Sequence, residues 1–116
     1  MSIQKEIVIY SRTSYTPFVA LARDLLLRYQ IPFREIDVIV QPEMAARVRD
    51  WTGSLSLPTL IIAAPNQDTP LQPPQPLEAG QSPRGLDRGS LISEPNNYQL
   101  ENWLYQHGFL DKPYKR

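Results

Sequence analysis

A short β-branched run, Glu6–Tyr10 (EIVIY), leads through one amphipathic helix into a second strand, and that succession constrains the fold more than any other feature of the chain. Two consecutive strands joined by a helix lie parallel in one sheet with a right-handed crossover. The helix is signalled by Thr16-Pro17, an N-cap followed by proline at the first helical position. Val19, Ala22, Leu25, Leu26 and Tyr29 recur at helical spacing, while Arg23, Asp24 and Arg28 take the other face. Ile31-Pro32 stops this helix, and Phe33–Ile39 reads as the second strand.

Pro42 opens a second helix, with Met44, Val48 and Trp51 on one face and Gly53 placed as its C-terminal cap. Leu57–Ala63 is a third, strongly apolar strand, and Gly89–Ile92 a short fourth. Pro95 opens a third helix, carrying Leu100, Trp103 and Leu104 on one face and ending near Gly108. Trp51 and Trp103 fall on the apolar stripes and are assigned to the core. His107, near the helix end, is read as meeting the last carbonyls. The order β-α-β-α-β-β-α makes an α/β domain with a four-stranded mixed sheet, its last two strands antiparallel, and helices packed on it.

Six of the twelve prolines lie between Ala64 and Asp87. That stretch has few large apolar residues and cannot offset its own ordering entropy by burial. We read 64–88 as a long, mobile loop insertion, partly polyproline II, within a single domain spanning 1–116. Within it, PLQPPQP (Pro70–Pro76) has spacing suited to polyproline recognition. Removing the loop leaves about 92 residues, the size of a small α/β domain.

Composition closes many functional classes. Twelve basic and twelve acidic residues give zero net charge, which argues against nucleic acid as a partner. No apolar run approaches a membrane span, and MSIQKEIVIY lacks a signal-peptide pattern, which points to a cytoplasmic protein with no membrane partner. The chain holds no cysteine and one histidine. Thiol catalysis, cysteine-based metal or cluster ligation, and a serine–histidine–aspartate device are therefore not expected, nor is any bound metal.

Four stretches together resemble the glutaredoxin family, whose fold is the three-layer thioredoxin-like fold. Tyr10-Ser11-Arg12 stands where the family has Tyr-Ser/Thr-Lys. TPFVALARDLL, from Thr16 to Leu26, is similar to the family's CPYCxxAKxLL, with Thr16 and Val19 in place of the two cysteines. Ser56-Leu57-Pro58-Thr59, after Gly53, is similar to the Thr-Val-Pro segment, whose proline is normally cis and abuts the active site. Ile92–Asn97 takes the place of Gly-Gly-Cys-Asp-Asp, with Asn96 and Asn97 the chemically close positions. The resemblance covers most of the chain outside the insertion.

The departures carry the functional expectation. With both redox positions lost, disulfide exchange has no thiolate. One residue is inserted between Tyr10 and Thr16, so Arg12 or Thr13 stands for the family lysine. Ser93-Glu94 replaces the glycine pair, and Glu94 repels the glutamyl carboxylate of glutathione. What the resemblance leaves is a groove: Arg12, Thr16, Phe18, Leu57, Pro58 and Asn96 as ligand-binding positions, with no catalytic residue. The first helix N-terminus suits an anion, and the Leu57 N–H and C=O suit an extended peptide. The expectation is a non-catalytic module for a peptide, a glutathione-like ligand or a protein partner, with no resident cofactor. Two alternatives stand beside it: a glutathione-dependent enzyme of glutaredoxin or glutathione transferase type that uses a hydroxyl of Ser14, Tyr15 or Thr16, and a structural or regulatory subunit docking through Tyr15, Phe18 or the loop.

Overall fold

The computed structural model describes residues 4–12 and 17–111. Its elements are β1 (Glu6–Ser11), α1 (Pro17–Arg28), β2 (Phe33–Asp37), α2 (Glu43–Thr52), β3 (Thr59–Ala63), β4 (Leu91–Ser93) and α3 (Asn97–Gln106). The strands form one sheet in the order β2-β1-β3-β4. β1 and β2 run parallel, with Ile7 beside Phe33 and Ser11 beside Asp37. β1 and β3 are antiparallel from Glu6–Ala63 to Tyr10–Thr59, and β3 and β4 from Thr59–Ser93 to Ile61–Leu91. The architecture is mixed α/β and consistent with a thioredoxin-like fold.

Alternation along the strands makes two cores. Ile7, Ile9, Leu60, Ile62 and Ile92 pack with Ala22, Leu25 and Leu26 of α1 and Leu100, Trp103 and Leu104 of α3. Val8, Tyr10, Ile36, Ile61, Ala63 and Leu91 face Ala45 and Val48 of α2 on the other side. Trp103 is 1% exposed and donates its indole N–H to the Gly89 carbonyl at 3.0 Å. Trp51 is only half-buried; its ring meets Tyr10 edge-on at 5.3 Å.

Several boundaries differ from the sequence reading, each for a local reason. β2 stops at Asp37 rather than Ile39, because the Asp37 carboxylate accepts the N–H groups of Ile39 (2.8 Å) and Val40 (3.3 Å) and turns the chain. Tyr29 lies past the end of α1, yet its hydroxyl reaches the Glu101 carboxylate of α3 at 2.5 Å. β3 begins at Thr59, after a cis Leu57–Pro58 bond and a proline that has no N–H to give. β4 runs Leu91–Ser93 instead of Gly89–Ile92; Gly89 turns at φ 89°. α3 starts at Asn97, because Asn96 and Gln99 close a reciprocal capping box. At the end of α2, Gly53 takes φ 80° and donates to the Arg49 carbonyl, as its position implies.

The stretch 64–88, read from sequence as a mobile loop, is tied to the domain at several points along its first and last thirds. Leu71 N–H donates to the Ile62 carbonyl of β3 at 2.8 Å, and Gly85 N–H to the Ser93 carbonyl of β4 at 2.6 Å. Arg34 holds the start of the stretch through Asp68 at 2.8 Å and the Gln67 carbonyl at 2.5 Å, and the Tyr10 hydroxyl donates to the Asp68 carbonyl. Its main anchor is Arg88, 5% exposed, whose guanidinium donates to the Gln75 carbonyl (2.8 Å) and to the Trp51 carbonyl at the end of α2 (2.5 Å). Burial lowers the pKa of Arg88 from its ordinary value, but the helix C-terminus supplies partial negative charge in compensation.

Candidate functional site

The ends of β1 and β4, the start of β3 and the start of α1 meet at one end of the sheet. The β1–β3 pairing ends at Tyr10–Thr59, so Arg12 lies two residues beyond that pair on one strand and Leu57 two residues before it on the other. Arg12 is exposed, Leu57 is half-buried and Pro58 is buried. Among the described residues, neither the N–H nor the C=O of Leu57 is hydrogen-bonded. Immediately beyond it, the Pro58 carbonyl accepts from the Glu94 N–H at 2.8 Å. Behind the proline, the Thr59 hydroxyl donates to the Ser56 carbonyl and pairs with the Ser93 hydroxyl, each at 2.7 Å. These buried bonds fix the backbone that presents Leu57.

Glu94 holds a left-handed backbone, φ 46°, where glycine would be free of strain. Its side chain is 17% exposed and forms an ion pair at 3.3 Å with Arg84, a residue of the proline-rich stretch. The Arg84 guanidinium also lies 6.0 Å from the centre of the half-buried Phe18 ring, at the outer reach of a cation–π contact. Pro58, Glu94, Arg84 and Phe18 thus form one chain of contacts across the rim.

Asn96 is exposed and caps a helix. Its side chain accepts the Gln99 N–H at 2.7 Å and so serves the start of α3. Thr16, the position of greatest interest in the sequence, lies outside the described residues, as do Thr13, Ser14 and Tyr15. His107 caps α3 through its backbone, while its ring sits 3.3 Å from Asp87, at the far end of the insertion.

Two features were not singled out in the sequence. The first is Arg84, the one basic residue between Ala64 and Asp87; that isolation within an acidic and neutral stretch was its available signal. The second is a cleft of about 320 Å³ lined by Ser11, Arg12, Arg23, Glu35 and Asp37. In it Glu35 accepts from the Ser11 hydroxyl at 2.9 Å and pairs with Arg23. The hydrogen bonds that Arg23 donates to Glu35 raise the Arg23 pKa, so Arg23 is committed there and Arg12 is left as the cation facing the cleft without an ion pair among the described residues.

Gly85 brings the insertion close to this end of the molecule. Its φ is 72°, and a Cβ there would land on the Gln99 side chain of the capping box. Gly85→Ala is expected to cost about 1–2 kcal/mol, from left-handed strain plus displacement of Gln99. Gly80→Ala, at a similar φ of 78° but with open space around it, supplies the control. Chemical denaturation of both variants checks this, and equal losses would remove Gln99 from the account.

Among the described residues no group of three or more acidic or histidine side chains is arranged to hold a metal ion, and no helix is long and apolar enough to cross a membrane. A family model described as Glutaredoxin matches residues 7–64, half of the chain. No curated protein and no solved structure gives a significant match.

Proposed function

The chain belongs to the glutaredoxin family, and from that premise we propose that it is a binding module without thiol chemistry, taking an extended peptide-like ligand along the backbone at Leu57. The observation that carries this reading is the pair of main-chain groups of Leu57 that are unbonded among the described residues, next to a buried Pro58 and at the same end of the sheet as the exposed Arg12. An extended ligand can pair with that N–H and C=O as one strand pairs with another, while a carboxylate on the ligand meets Arg12. None of these contacts requires sulfur, and the chain has none in cysteine form.

Glutathione is the small ligand of this shape, and short peptides with a free carboxylate are its larger equivalents. Phe18 offers an apolar wall and Arg84 a second cation, partly neutralised by Glu94. Titrating isotopically labelled protein with glutathione and with an extended hexapeptide tests the proposal. Amide shifts centred on Leu57 and Arg12 are expected. Titrations that leave those two amides unmoved would overturn it.

Glu94 sets the expected weakness of glutathione binding. Its carboxylate repels the ligand's own carboxylates and occupies Arg84. Glu94→Gly is expected to tighten glutathione binding severalfold, since a like charge is removed and a cation released. Its stability should stay within about 1 kcal/mol of the parent, because relief of left-handed strain offsets the freer unfolded chain and the loss of an ion pair. Calorimetric titration alongside a thermal melt reads both quantities.

A further inference from the structure

We propose that residues 73–78 form a preformed polyproline-II ligand, which the domain presents to a partner protein through that partner's aromatic-lined groove. Three observations carry this, and none depends on the groove at Leu57.

The first is periodic burial. Residues 73–78 carry no helix, strand or turn, and their exposure repeats every three residues. Pro73 is exposed, Pro74 half-buried, Gln75 and Pro76 exposed, Leu77 half-buried and Glu78 exposed. A polyproline-II helix has three residues per turn, so one laid along a surface buries every third side chain. Pro74 and Leu77 make the inward edge. Pro73 with Pro76, and Gln75 with Glu78, make the two edges turned outward.

The second is anchoring. Gln75 N–H donates to the Arg88 carbonyl at 3.1 Å, and the Gln75 carbonyl accepts from the Arg88 guanidinium at 2.8 Å. The centre of the segment is therefore clamped to a buried residue, so a partner meets a ligand already ordered and loses less conformational entropy on binding.

The third is unmet hydrogen-bonding capacity. Among the described residues, the carbonyls of Pro73, Pro74, Pro76 and Leu77 accept no hydrogen bond. Proline-rich ligands are read through ring faces packed on aromatic side chains, with donors from the groove bonding such carbonyls. Between residues 65 and 83 there is no lysine or arginine, and Glu78 forms no ion pair among the described residues. This excludes grooves that select a basic residue beside the prolines through an acidic pocket, and favours one with a cation at its edge.

The test is a titration of the isotopically labelled full chain with a purified WW domain, which reads paired prolines between aromatic rings, and with an SH3 domain that selects arginine. The WW domain is expected to shift the amides of Gln75, Leu77 and Glu78 saturably, with a dissociation constant of roughly 0.1–1 mM, and the SH3 domain to shift them less. The double substitution Pro73→Ala/Pro76→Ala should abolish these shifts while the rest of the spectrum is unchanged; Pro76→Ala alone should weaken them several-fold if the double variant fails to fold. No response to the WW domain, a response that survives both substitutions, a stronger response to the SH3 domain, or shifts at Leu57 and Arg12 instead would each overturn the proposal.

Discussion

Arg88→Ala is expected to lower the unfolding free energy by about 3 kcal/mol, with a fall in melting temperature on the order of 15 °C for a domain of this size. The substitution takes the donor from two partly buried acceptors, the Gln75 and Trp51 carbonyls, where the loss for a fully buried acceptor is about 1–3 kcal/mol each, and it empties the buried space that the Arg88 side chain fills. Removing a buried cation returns part of this, since its desolvation no longer has to be met. The loss should be greater than for Arg84→Ala, because Arg84 is 63% exposed and its pair with Glu94 belongs to the class worth at most about 1 kcal/mol. Hydrogen exchange provides a second reading: in Arg88→Ala the amides of Leu71, Gln75 and Gly85 should lose protection before those of β1 and β3. Uniform loss throughout the chain would mean that Arg88 supports the whole core rather than the insertion.

The second large effect concerns chemistry. The purified protein is expected to show no turnover in a glutathione-coupled disulfide assay, since the step requires a thiolate and the chain contains no cysteine. Thr16→Cys restores sulfur at the first motif position of the family and is expected to raise turnover at least tenfold above background, with a further gain in Thr16→Cys/Glu94→Gly where the opposing carboxylate is gone. Turnover by the parent protein would refute the non-redox reading outright. An inert Thr16→Cys/Glu94→Gly protein that still binds glutathione would separate the groove from any competence for exchange.

Much of this architecture is written in periodicity. EIVIY announces β1, the 3.6-residue spacing from Val19 to Leu26 announces α1, and Gly53 marks the end of α2 because only a left-handed residue lets the chain turn there. Two of the boundary differences share an origin in short polar side chains that bond to nearby backbone. Asp37 ends β2 two residues early, and Asn96 delays α3 past Pro95. The anchoring of the proline-rich stretch was harder to read. Arg88 is held by main-chain carbonyls, which every residue type possesses, so no partner side chain stands out in the sequence. Arg84 was likewise hidden, because its value lies in reaching Glu94 and Phe18, which the fold brings together from different elements. At the candidate site, Leu57 and Pro58 stand out through their likeness to a family segment, whereas the capping bond of Asn96 is visible only in the geometry.

The bridge between Arg84–Gly85 and Ser93 has a consequence for how such chains coexist in a crowded solution. A three-residue border strand left bare would present its amides to any neighbouring copy, an invitation to fibrous growth by strand addition. Here the insertion lies against that border, and the opposite border carries Arg34, Glu35 and Asp37. Both lateral routes to sheet propagation are thereby blunted, one by a covering segment and the other by charge.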